Sequence, residues 1–306
     1  MTASELGPLT PGARVAIVAP SGPPPSELLA RSLELLDGWG LEPVVFPSAT
    51  ATHPRARYLA GPDAQRAADL QSAWCDTTID AVFCARGGYG SVRMIDLLDR
   101  DALAAAAPPK PLYGSSDVTG IHEYWLERLG LATWFTPMTA TAALLDDAAA
   151  IESLRRAVFE PVGGRRFTAP TAETLVAGEA TGRIIGGNLS LLAMTLGAHG
   201  LPVADHTGCI ALLEDVEEEP YRLDGMLTSL LRAGWFDGVT GIALGSWQGC
   251  GDLGEVRALA EELLAPLGVP LVWELGFGHG PHASSIPLGV RGTLVAGSEP
   301  ELVIEA

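Results

Sequence analysis

A serine in a short polar turn is the first residue whose surroundings could support covalent catalysis. Ser116 lies in Gly114-Ser115-Ser116-Asp117, between an apolar segment that predicts a strand and a periodic segment that predicts a helix. A sharp strand-to-helix turn can expose a serine hydroxyl at the edge of a sheet. Backbone N–H groups at the start of the helix, beginning with that of Asp117, could then stabilise an oxyanion. Ser115 competes for the role of nucleophile, and an ordinary helix-capping serine is the alternative interpretation.

A glycine-rich loop, Arg86-Gly87-Gly88-Tyr89-Gly90, follows an earlier predicted strand. Glycine tolerates positive φ and leaves room for a ligand near the backbone. The loop lacks both the Gly-Lys-Ser/Thr ending of a P-loop and the Gly-x-Gly-x-x-Gly pattern of a dinucleotide site. We therefore expect Gly87 or Gly88 to donate an N–H to the same oxyanion, with a purely structural turn as the alternative. Arg86 is a candidate partner for a substrate carboxylate, unless it forms a structural salt bridge.

A carboxylate and an imidazole in the second half of the chain could complete the machinery that activates a serine. Glu214 directly follows the apolar segment Ile210–Leu213, so it would stand at the end of a buried strand. His279 lies in a glycine-flanked loop, from which an imidazole can project into a cleft. A serine hydroxyl needs a base, and a carboxylate can orient that base. His279 and His282 could instead share a metal, but no His-Glu-x-x-His motif or third ligand accompanies them, so we predict no metal site.

The secondary-structure elements around these residues must position them. In the first half of the chain, short apolar segments rich in β-branched residues alternate with longer segments whose apolar residues recur at helical spacing. This pattern predicts parallel strands joined by crossover helices. The predicted strands cover 15–18, 44–46, 81–85 and 111–113. The predicted helices include 64–74, about 91–99 and one that ends at 129. The candidate loops follow the carboxyl ends of the strands, where open α/β sheets bind ligands.

The domain organisation follows from the place where this alternation weakens. With 306 residues the chain has the length of about two domains. We predict an N-terminal domain at 1–145 that carries the nucleophile, a linker at 146–178, and a C-terminal domain at 179–306 that carries the glutamate and the histidine. The predicted fold is α/β: a Rossmann-like or flavodoxin-like parallel sheet, followed by a smaller mixed α/β domain with less regular repeats.

Composition limits the partners and the location. The chain has 19 Lys and Arg against 37 Asp and Glu, a formal net charge of −18. Such a surface repels phosphate backbones and anionic lipid, so we expect neither nucleic acid nor a membrane as partner. Residues Met1–Gly12 lack the pattern of a secretory signal, so we expect a cytoplasmic protein. The four cysteines form no Cys-x-x-Cys pair and predict buried thiols.

The motifs together resemble those of the LD-carboxypeptidases, serine peptidases also called muramoyltetrapeptide carboxypeptidases or peptidase family S66. The segments that carry the resemblance are 15–21, 58–70, 85–90, 114–117, 186–189, 213–222, 278–280 and 287–289. By this resemblance the catalytic serine, glutamate and histidine align with Ser116, Glu214 and His279, in that chain order. Members of the family typically act as homodimers without metal or cofactor, and the resemblance implies the same here.

The implied reaction is hydrolysis of the L,D-amide bond before the terminal D-alanine of a cytoplasmic murein tetrapeptide, a step of peptidoglycan recycling. We expect His279 to take the proton of Ser116, and Glu214 to stabilise the imidazolium while an acyl-enzyme forms. Two segments depart from the family pattern. Ser115 stands where an aromatic residue is common, and Phe135-Thr136-Pro137 stands where His-Gly-Pro is frequent.

Two other functions stay open on the sequence. The first is the function of a branch of the same family that resembles the microcin C self-immunity hydrolases, which cleave acyl-adenylate mimics. Members of that branch tend to carry lysine four residues after the catalytic glutamate. Glu218 occupies that position here, which favours the murein branch. The other function is a non-catalytic peptide-binding or nucleotide-binding protein on a flavodoxin-like sheet. It predicts ligand binding without turnover that survives the loss of Ser116.

Overall fold

Two β-sheets with helices packed against them form the architecture of the computed structural model, which describes residues 6–198 and 203–306. The strands in these ranges are β1 (Arg14–Val18), β2 (Glu42–Val45), β3 (Ala81–Cys84), β4 (Leu112–Gly114), β5 (Thr133–Phe135), β6 (Arg166–Phe167), β7 (Glu173–Val176), β8 (Gly178–Asn188), β9 (Cys209–Val216), β10 (Gly241–Gln248), β11 (Leu271–Trp273), β12 (Ile286–Leu288), β13 (Arg291–Ala296) and β14 (Glu301–Ile304). The α-helices in them are α1 (Ser26–Gly38), α2 (Asp63–Cys75), α3 (Ser91–Met94), α4 (Arg100–Ala105), α5 (Thr119–Tyr124), α6 (Ala142–Leu145), α7 (Ala148–Phe159), α8 (Leu189–Thr195), α9 (Pro220–Arg232) and α10 (Leu253–Leu264). The predicted α/β fold class is confirmed. Residues 1–5 of the N-terminal segment considered above lie outside the described ranges.

The first sheet has the strand order β12-β5-β4-β3-β1-β2. Strands β1 to β5 are parallel, as predicted for this sheet, and they follow the flavodoxin-like order 2-1-3-4-5. Sequence reasoning predicted β1 to β4 and missed the short strand β5. The sixth strand, β12, comes from the other end of the chain and pairs antiparallel with β5. Sequence reasoning missed this strand because it is short and contains Pro287, a residue that sheets accept at an edge.

Of the two helical segments predicted on either side of Ser116, the first is interrupted and the second ends where we predicted. The segment 91–99 is not one helix: it contains α3 and a 3₁₀ turn at Ile95–Leu97 and ends at Asp99. The Asp99 side chain caps α4, accepting hydrogen bonds from the N–H of Asp101 and Ala102, so the chain starts a new helix there. The later helical segment does end at residue 129, where Gly130 adopts a left-handed conformation.

The second sheet lies in the part of the chain where we predicted a mixed α/β domain, and its strand order is β6-β14-β13-β8-β9-β10-β11-β7. Strands β8 to β11 are parallel, and the others join antiparallel. The segment 146–178, which we predicted to be a linker, contains α7 and the strands β6 and β7 of this sheet. Both strands are short and partly exposed, so they lack the hydrophobic alternation that reveals a strand. Among the described residues the second sheet has eight strands and the first has six, although we expected the smaller domain in the second half of the chain. The division into domains at 1–145 and 179–306 stays a prediction.

The apolar core continues from one sheet to the other. Val15, Ile17 and Trp134 of the first sheet share one buried cluster with Ile184 and Leu294 of the second. All four cysteines are free, and three of them are buried. In the described part of the chain, no helix is both long and apolar enough to span a membrane. The shared core holds the carboxyl ends of β4 and β9 in a fixed relation, and Ser116 and Glu214 lie at those two ends.

Candidate active site

Ser116 follows β4 in a backbone conformation that few serines adopt. Its φ is 56°, whereas Ser115 is extended with φ of −153°. A positive φ in a residue with a Cβ costs about 1–3 kcal/mol and persists only where its surroundings impose it. Ser115 and Asp117 are buried, while Ser116 is partly exposed. The strained, accessible position therefore belongs to Ser116 and not to its competitor Ser115.

The glycine-rich loop packs directly against this turn. A Cβ at Gly87 would lie 2.7 Å from the Cβ and 2.8 Å from the Oγ of Ser116, so no other residue fits there without displacement. Gly88 has φ of 101°, which also favours glycine. The carbonyl of Gly87 accepts a hydrogen bond from Gly22 N at 3.0 Å. Within 6–198 and 203–306, no protein group accepts a hydrogen bond from the N–H of Gly87 or Gly88, so both are available to a ligand.

The Asp117 side chain joins the nucleophile turn to the helix that follows the glycine-rich loop. Its Oδ2 accepts a hydrogen bond from Ser91 N at 2.7 Å, and its main-chain oxygen accepts one from Ser91 Oγ. Burial raises the pKa of Asp117, while the hydrogen bonds from Ser91 act in the opposite direction. The side chain is thus structural, and only the backbone N–H of Asp117 is a candidate for binding an oxyanion.

His279 and Glu214 form a close hydrogen-bonded pair. The Nδ1 of His279 lies 2.6 Å from Oε2 of Glu214, which is completely buried at the end of β9. The imidazole keeps 23% of its side-chain surface exposed. Burial lowers the pKa of His279, but the charge and the hydrogen bond of Glu214 outweigh burial and raise the pKa above its ordinary value. The pair has the geometry that orients an imidazole for proton transfer at its other nitrogen.

Strand β10 holds the histidine loop in place. Ser246 Oγ accepts a hydrogen bond from Gly280 N at 2.7 Å, and Ser246 N donates to the carbonyl of Phe277 at 2.8 Å. A Cβ at Gly278 would approach Glu214 Oε2 to 2.6 Å. The glycines on either side of His279 therefore let the loop lie close enough to Glu214 for the short hydrogen bond to form.

Ser116 and His279 line one cavity of about 170 Å³. Ser116 follows β4 of the first sheet, whereas His279 lies in the loop that joins β11 of the second sheet to β12 of the first. Arg86, Gly87, Gly88 and Ser115 line it as well. In the described residues no hydrogen bond joins Ser116 to His279; such bonds are often long before a substrate binds. A larger cavity of about 350 Å³, between α5 and α8, contains none of these residues. The smaller cavity is therefore the candidate active site, because the serine and the histidine both line it.

Arg86 and His282, the other side chains singled out in the sequence, have hydrogen-bond partners outside the His279–Glu214 pair. Arg86 is exposed and donates to the carbonyl of Pro23 at 2.7 Å, and no carboxylate of the described residues pairs with it. Among the described residues, the contact of the Arg86 side chain is thus to a main-chain oxygen and not to a carboxylate. His282 contacts Asp147, with 3.2 Å between Nδ1 and Oδ1, whereas His279 contacts Glu214. The two histidines thus have different carboxylate partners.

Sequence reasoning missed a second carboxylate and an amide behind Glu214. Asn188 and Asp215 are 2% and 1% exposed, and Asn188 Nδ2 lies 3.0 Å from Asp215 Oδ1. Burial, and then the charge of Glu214, raises the pKa of Asp215 to about 7. Two consecutive acidic residues at the end of an apolar strand were the available signal, and Glu214 was the preferred candidate because it directly follows the apolar segment.

Two family models match the chain on either side of the middle segment. The first, the LD-carboxypeptidase N-terminal domain, matches residues 15–136, and the second, the LD-carboxypeptidase C-terminal domain, matches residues 181–294. The chain belongs to the LD-carboxypeptidase family. The predicted family is therefore confirmed, and each of the two matched segments carries part of the candidate site.

Full-length relatives of this LD-carboxypeptidase family member carry carboxypeptidase names. The Streptomyces coelicolor protein named "Putative carboxypeptidase SCO6489" is 50% identical over 289 residues, which cover 94% of this chain and 92% of that protein. The murein tetrapeptide carboxypeptidase of Pseudomonas aeruginosa is 30% identical over 300 residues, with 92% of each chain covered.

Solved structures share the fold of this protein over almost the whole chain. The muramoyltetrapeptide carboxypeptidase from Oxalobacter formigenes has a TM-score of 0.80 at 26% identity, with 96% of this chain and 99% of that chain covered. MccF in complex with glutamyl sulfamoyl guanosine has a TM-score of 0.85 at 21% identity, with 98% of both chains covered. At that identity the second likeness shows the fold alone.

Proposed function

We propose that this protein is a serine-type LD-carboxypeptidase that releases the terminal D-alanine of murein tetrapeptides. The observation that carries the proposal is the 2.6 Å hydrogen bond between His279 and the buried Glu214, at a cavity that Ser116 also lines. The name of the Pseudomonas relative supports the substrate class. As part of the same proposal, the enzyme acts in the cytoplasm in peptidoglycan recycling and forms a homodimer.

The proposed reaction begins with proton transfer from Ser116 to His279. Because the imidazole donates its Nδ1–H to Glu214, its Nε2 is left as the base. The Ser116 oxygen attacks the carbonyl carbon before the D-alanine, and Glu214 stabilises the imidazolium that forms. His279 then protonates the departing amine, and an acyl-enzyme remains. Water, activated by the same imidazole, hydrolyses the acyl-enzyme and regenerates Ser116.

The negative oxygen of the tetrahedral intermediate accepts hydrogen bonds from backbone N–H groups. The candidates are Asp117, which directly follows the serine, and one of Gly87 and Gly88, of which Gly87 packs against the serine side chain. Each such donor contributes about 3 kcal/mol to stabilisation of the transition state in other enzymes. Arg86 lines the cavity and is the candidate partner for the free carboxylate of the substrate. The small cavity suits a small terminal residue such as D-alanine.

The experiment is measurement of D-alanine release from purified murein tetrapeptides by mass spectrometry. We expect Ser116→Ala to reduce release at least about a thousandfold, because the nucleophile is lost. Ser115→Ala is the matched control, since it removes a neighbouring hydroxyl from the same turn, and it should retain most of the activity. Unchanged release by Ser116→Ala would contradict the mechanism.

The same assay decides between the proposed function and its alternatives. An aminoacyl sulfamoyl adenylate serves as the second substrate. Glu218, at the position where the immunity branch tends to have lysine, forms an ion pair with Arg222, so no free cation is offered there. Cleavage of the adenylate without release from any tetrapeptide would assign the protein to that branch. Binding of tetrapeptide without turnover by the wild type, retained in Ser116→Ala, would indicate a binding protein.

A further inference from the structure

The nucleophile of the proposed triad is carried by the first sheet and its glutamate by the second. The position of Ser116 relative to the His279–Glu214 pair therefore depends on contacts between the two sheets. Ser116 follows β4 of the first sheet, and Glu214 lies near the carboxyl end of β9 of the second sheet. Catalytic groups must be held to within about 0.5 Å of their productive geometry. Asn188, the last residue of β8, is in register with Glu214 on the neighbouring strand and lies between the two halves.

The backbone of Asn188 is bonded to the first turn of the nucleophile helix. Asn188 N donates a hydrogen bond to Thr119 Oγ1 at 2.9 Å. Thr119 is completely buried and follows Ser116 by three residues. The contact is close because the preceding residue is Gly187, where a Cβ would lie 2.6 Å from Thr119 Oγ1. The end of β8 is therefore packed directly on the turn that carries Ser116.

The side chain of Asn188 is bonded to the other half of the triad. Its Nδ2 donates to Glu214 Oε1 at 3.2 Å and to Asp215 Oδ1 at 3.0 Å. Its Oδ1 accepts from Ser190 Oγ at 2.7 Å and from Leu191 N at 3.2 Å. With two bonds donated and two accepted, the amide has one orientation, and that orientation leaves Glu214 Oε2 for His279.

Asp215 holds this amide in place. Its Oδ2 accepts from Ser190 N at 2.8 Å, and its Oδ1 accepts from Val216 N at 2.8 Å. A carboxylate fixed by two backbone N–H groups is a rigid acceptor for Asn188 Nδ2. Burial of two adjacent carboxylates is costly, and only such hydrogen bonds offset the cost. Asp215 and Asn188 are both buried, and neither is among the residues that line the cavity.

We propose that Asn188, oriented by Asp215, is the positioning residue that aligns Ser116 with the His279–Glu214 pair. The inference rests on the proposed function. One continuous path of hydrogen bonds runs from Thr119 through Asn188 and Glu214 to His279. Interrupting this path moves the base relative to the nucleophile while the substrate cavity stays intact. The expected signature is a loss in kcat with little change in KM.

The first test removes the contact between the two halves at Thr119. Thr119→Val keeps the shape of the side chain but lacks the acceptor oxygen, whereas Thr119→Ser keeps the oxygen and lacks the methyl group. We expect Thr119→Val to lower kcat by about 10-fold to 100-fold, as displacements near 1 Å do, with KM within about twofold. Thr119→Ser should recover most of that loss. Equal kcat in the two variants, at matched thermal stability, would overturn the proposal.

The second test asks whether Asp215 acts through Glu214. Asp215→Asn is measured alone and in the Glu214→Gln background. If Asp215 orients Asn188 for Glu214, its effect on kcat should largely disappear once Glu214 is replaced, because the two changes interrupt one path. Full additivity of the two losses would overturn the proposal.

A readout that needs no substrate separates this inference from the proposed function. The Nδ1–H of His279, hydrogen-bonded to Glu214, should give a downfield proton NMR signal in the wild type. We expect Asp215→Asn and Thr119→Val to shift or broaden that signal, and Thr119→Ser to retain it. An unchanged signal in Asp215→Asn would refute the positioning role. If no tetrapeptide is hydrolysed but the signal responds as expected, the proposed function fails and the alignment by Asn188 stands.

Discussion

At the scale of single residues, the difference between Glu214 and its acidic neighbours is a difference in burial. Glu217 and Glu219 are exposed in the loop after β9, whereas Glu214 is completely buried against His279. A buried carboxylate interacts strongly with a nearby cation because water screens little of its charge. The same residue type, a few positions along the chain, is therefore either a solvated surface group or a partner that changes the chemistry of a histidine.

The pKa of His279 makes a testable prediction about pH. Burial lowers this pKa, but Glu214 outweighs burial and raises it above the ordinary value of 6.5. Because catalysis needs the neutral imidazole, kcat/KM should fall as pH drops through the raised pKa. We expect the acidic limb of the profile above pH 6.5, and a shift to lower pH in Glu214→Gln. An acidic limb below pH 6.5 in the wild type would contradict the assignment.

The stability of the protein should depend on the same ionisation. A histidine whose folded-state pKa is raised stabilises the fold fully at pH values below the unfolded pKa of about 6.5. This contribution is lost as pH rises through the raised folded-state pKa of His279. Thermal unfolding across this interval, compared between the wild type and His279→Gln, measures the contribution. Parallel pH dependences in the two proteins would argue against it.

A Cβ at Gly87 should reduce activity without unfolding the protein. Gly87→Ala brings a carbon to 2.7 Å from the Cβ of Ser116, so the serine must move. We expect kcat to fall about 100-fold, since a small displacement of a reacting group has that effect. Gly225→Ala is the control: it lies in α9, and a Cβ there meets nothing within 4 Å. That variant should keep its activity and gain about 0.5–1 kcal/mol of stability. Equal kcat in the two variants would refute the close packing of Gly87 on Ser116.

At the scale of elements, helix α2 supports the loops around the nucleophile through a buried arginine. Arg66 is completely buried and donates to the carbonyls of Gly90 at 2.8 Å and Gly61 at 3.3 Å, and to that of Pro20. It also pairs with Asp63 at the start of the same helix. One guanidinium thus connects the loops that follow β1 and β3, including the glycine-rich loop beside Ser116.

Replacing Arg66 should be far more costly than replacing the other arginine bound to the same carboxylate. Arg66→Met leaves three buried carbonyls without their donor, and we expect a loss of about 3 kcal/mol in the free energy of unfolding. Arg93 also pairs with Asp63, at 2.7 Å, but a third of its side chain is exposed. Arg93→Met should cost much less, because solvent screens an ion pair at an exposed arginine. Urea denaturation measures both, and similar losses would contradict the distinction.

At the scale of the whole molecule, the two sheets are not independent bodies. Strand β12 crosses from the C-terminal part of the chain to the edge of the first sheet, where Ile286 pairs with Phe135. The buried cluster that includes Val15 and Leu294 spans both sheets. Because neither sheet buries its apolar face alone, we expect the two halves of the active site to form and to be lost together.

Weakening β12 should therefore destabilise both sheets. Ile286 is completely buried, and Ile286→Ala should cost about 2–5 kcal/mol. Hydrogen exchange measured by mass spectrometry should show the slowest amides of β1 and of β9 losing protection by equal amounts, because they open in one global event. Val45→Ala, at an exposed site in the edge strand β2, is the control and should change protection little. Loss of protection in only one sheet would contradict a shared core.

Local patterns in the sequence were enough to predict the α/β fold class, four strands of the first sheet and three candidate residues, Ser116, Glu214 and His279. Burial periodicity, turn chemistry and motif order act over a few residues, so they can be seen in the chain itself. The position of β12 and the strands within 146–178 could not be seen, because short edge strands carry little periodicity.

Only the tertiary structure decided which polar groups meet at the site. Asn188 and Thr119 are 69 residues apart in the chain, and His279 and Glu214 are 65 apart. Glu214 and Asp215 look alike in the sequence, yet one faces His279 and the other holds the amide of Asn188. Hydrogen bonds between distant segments depend on how the two sheets pack, and no local pattern of residues encodes that packing.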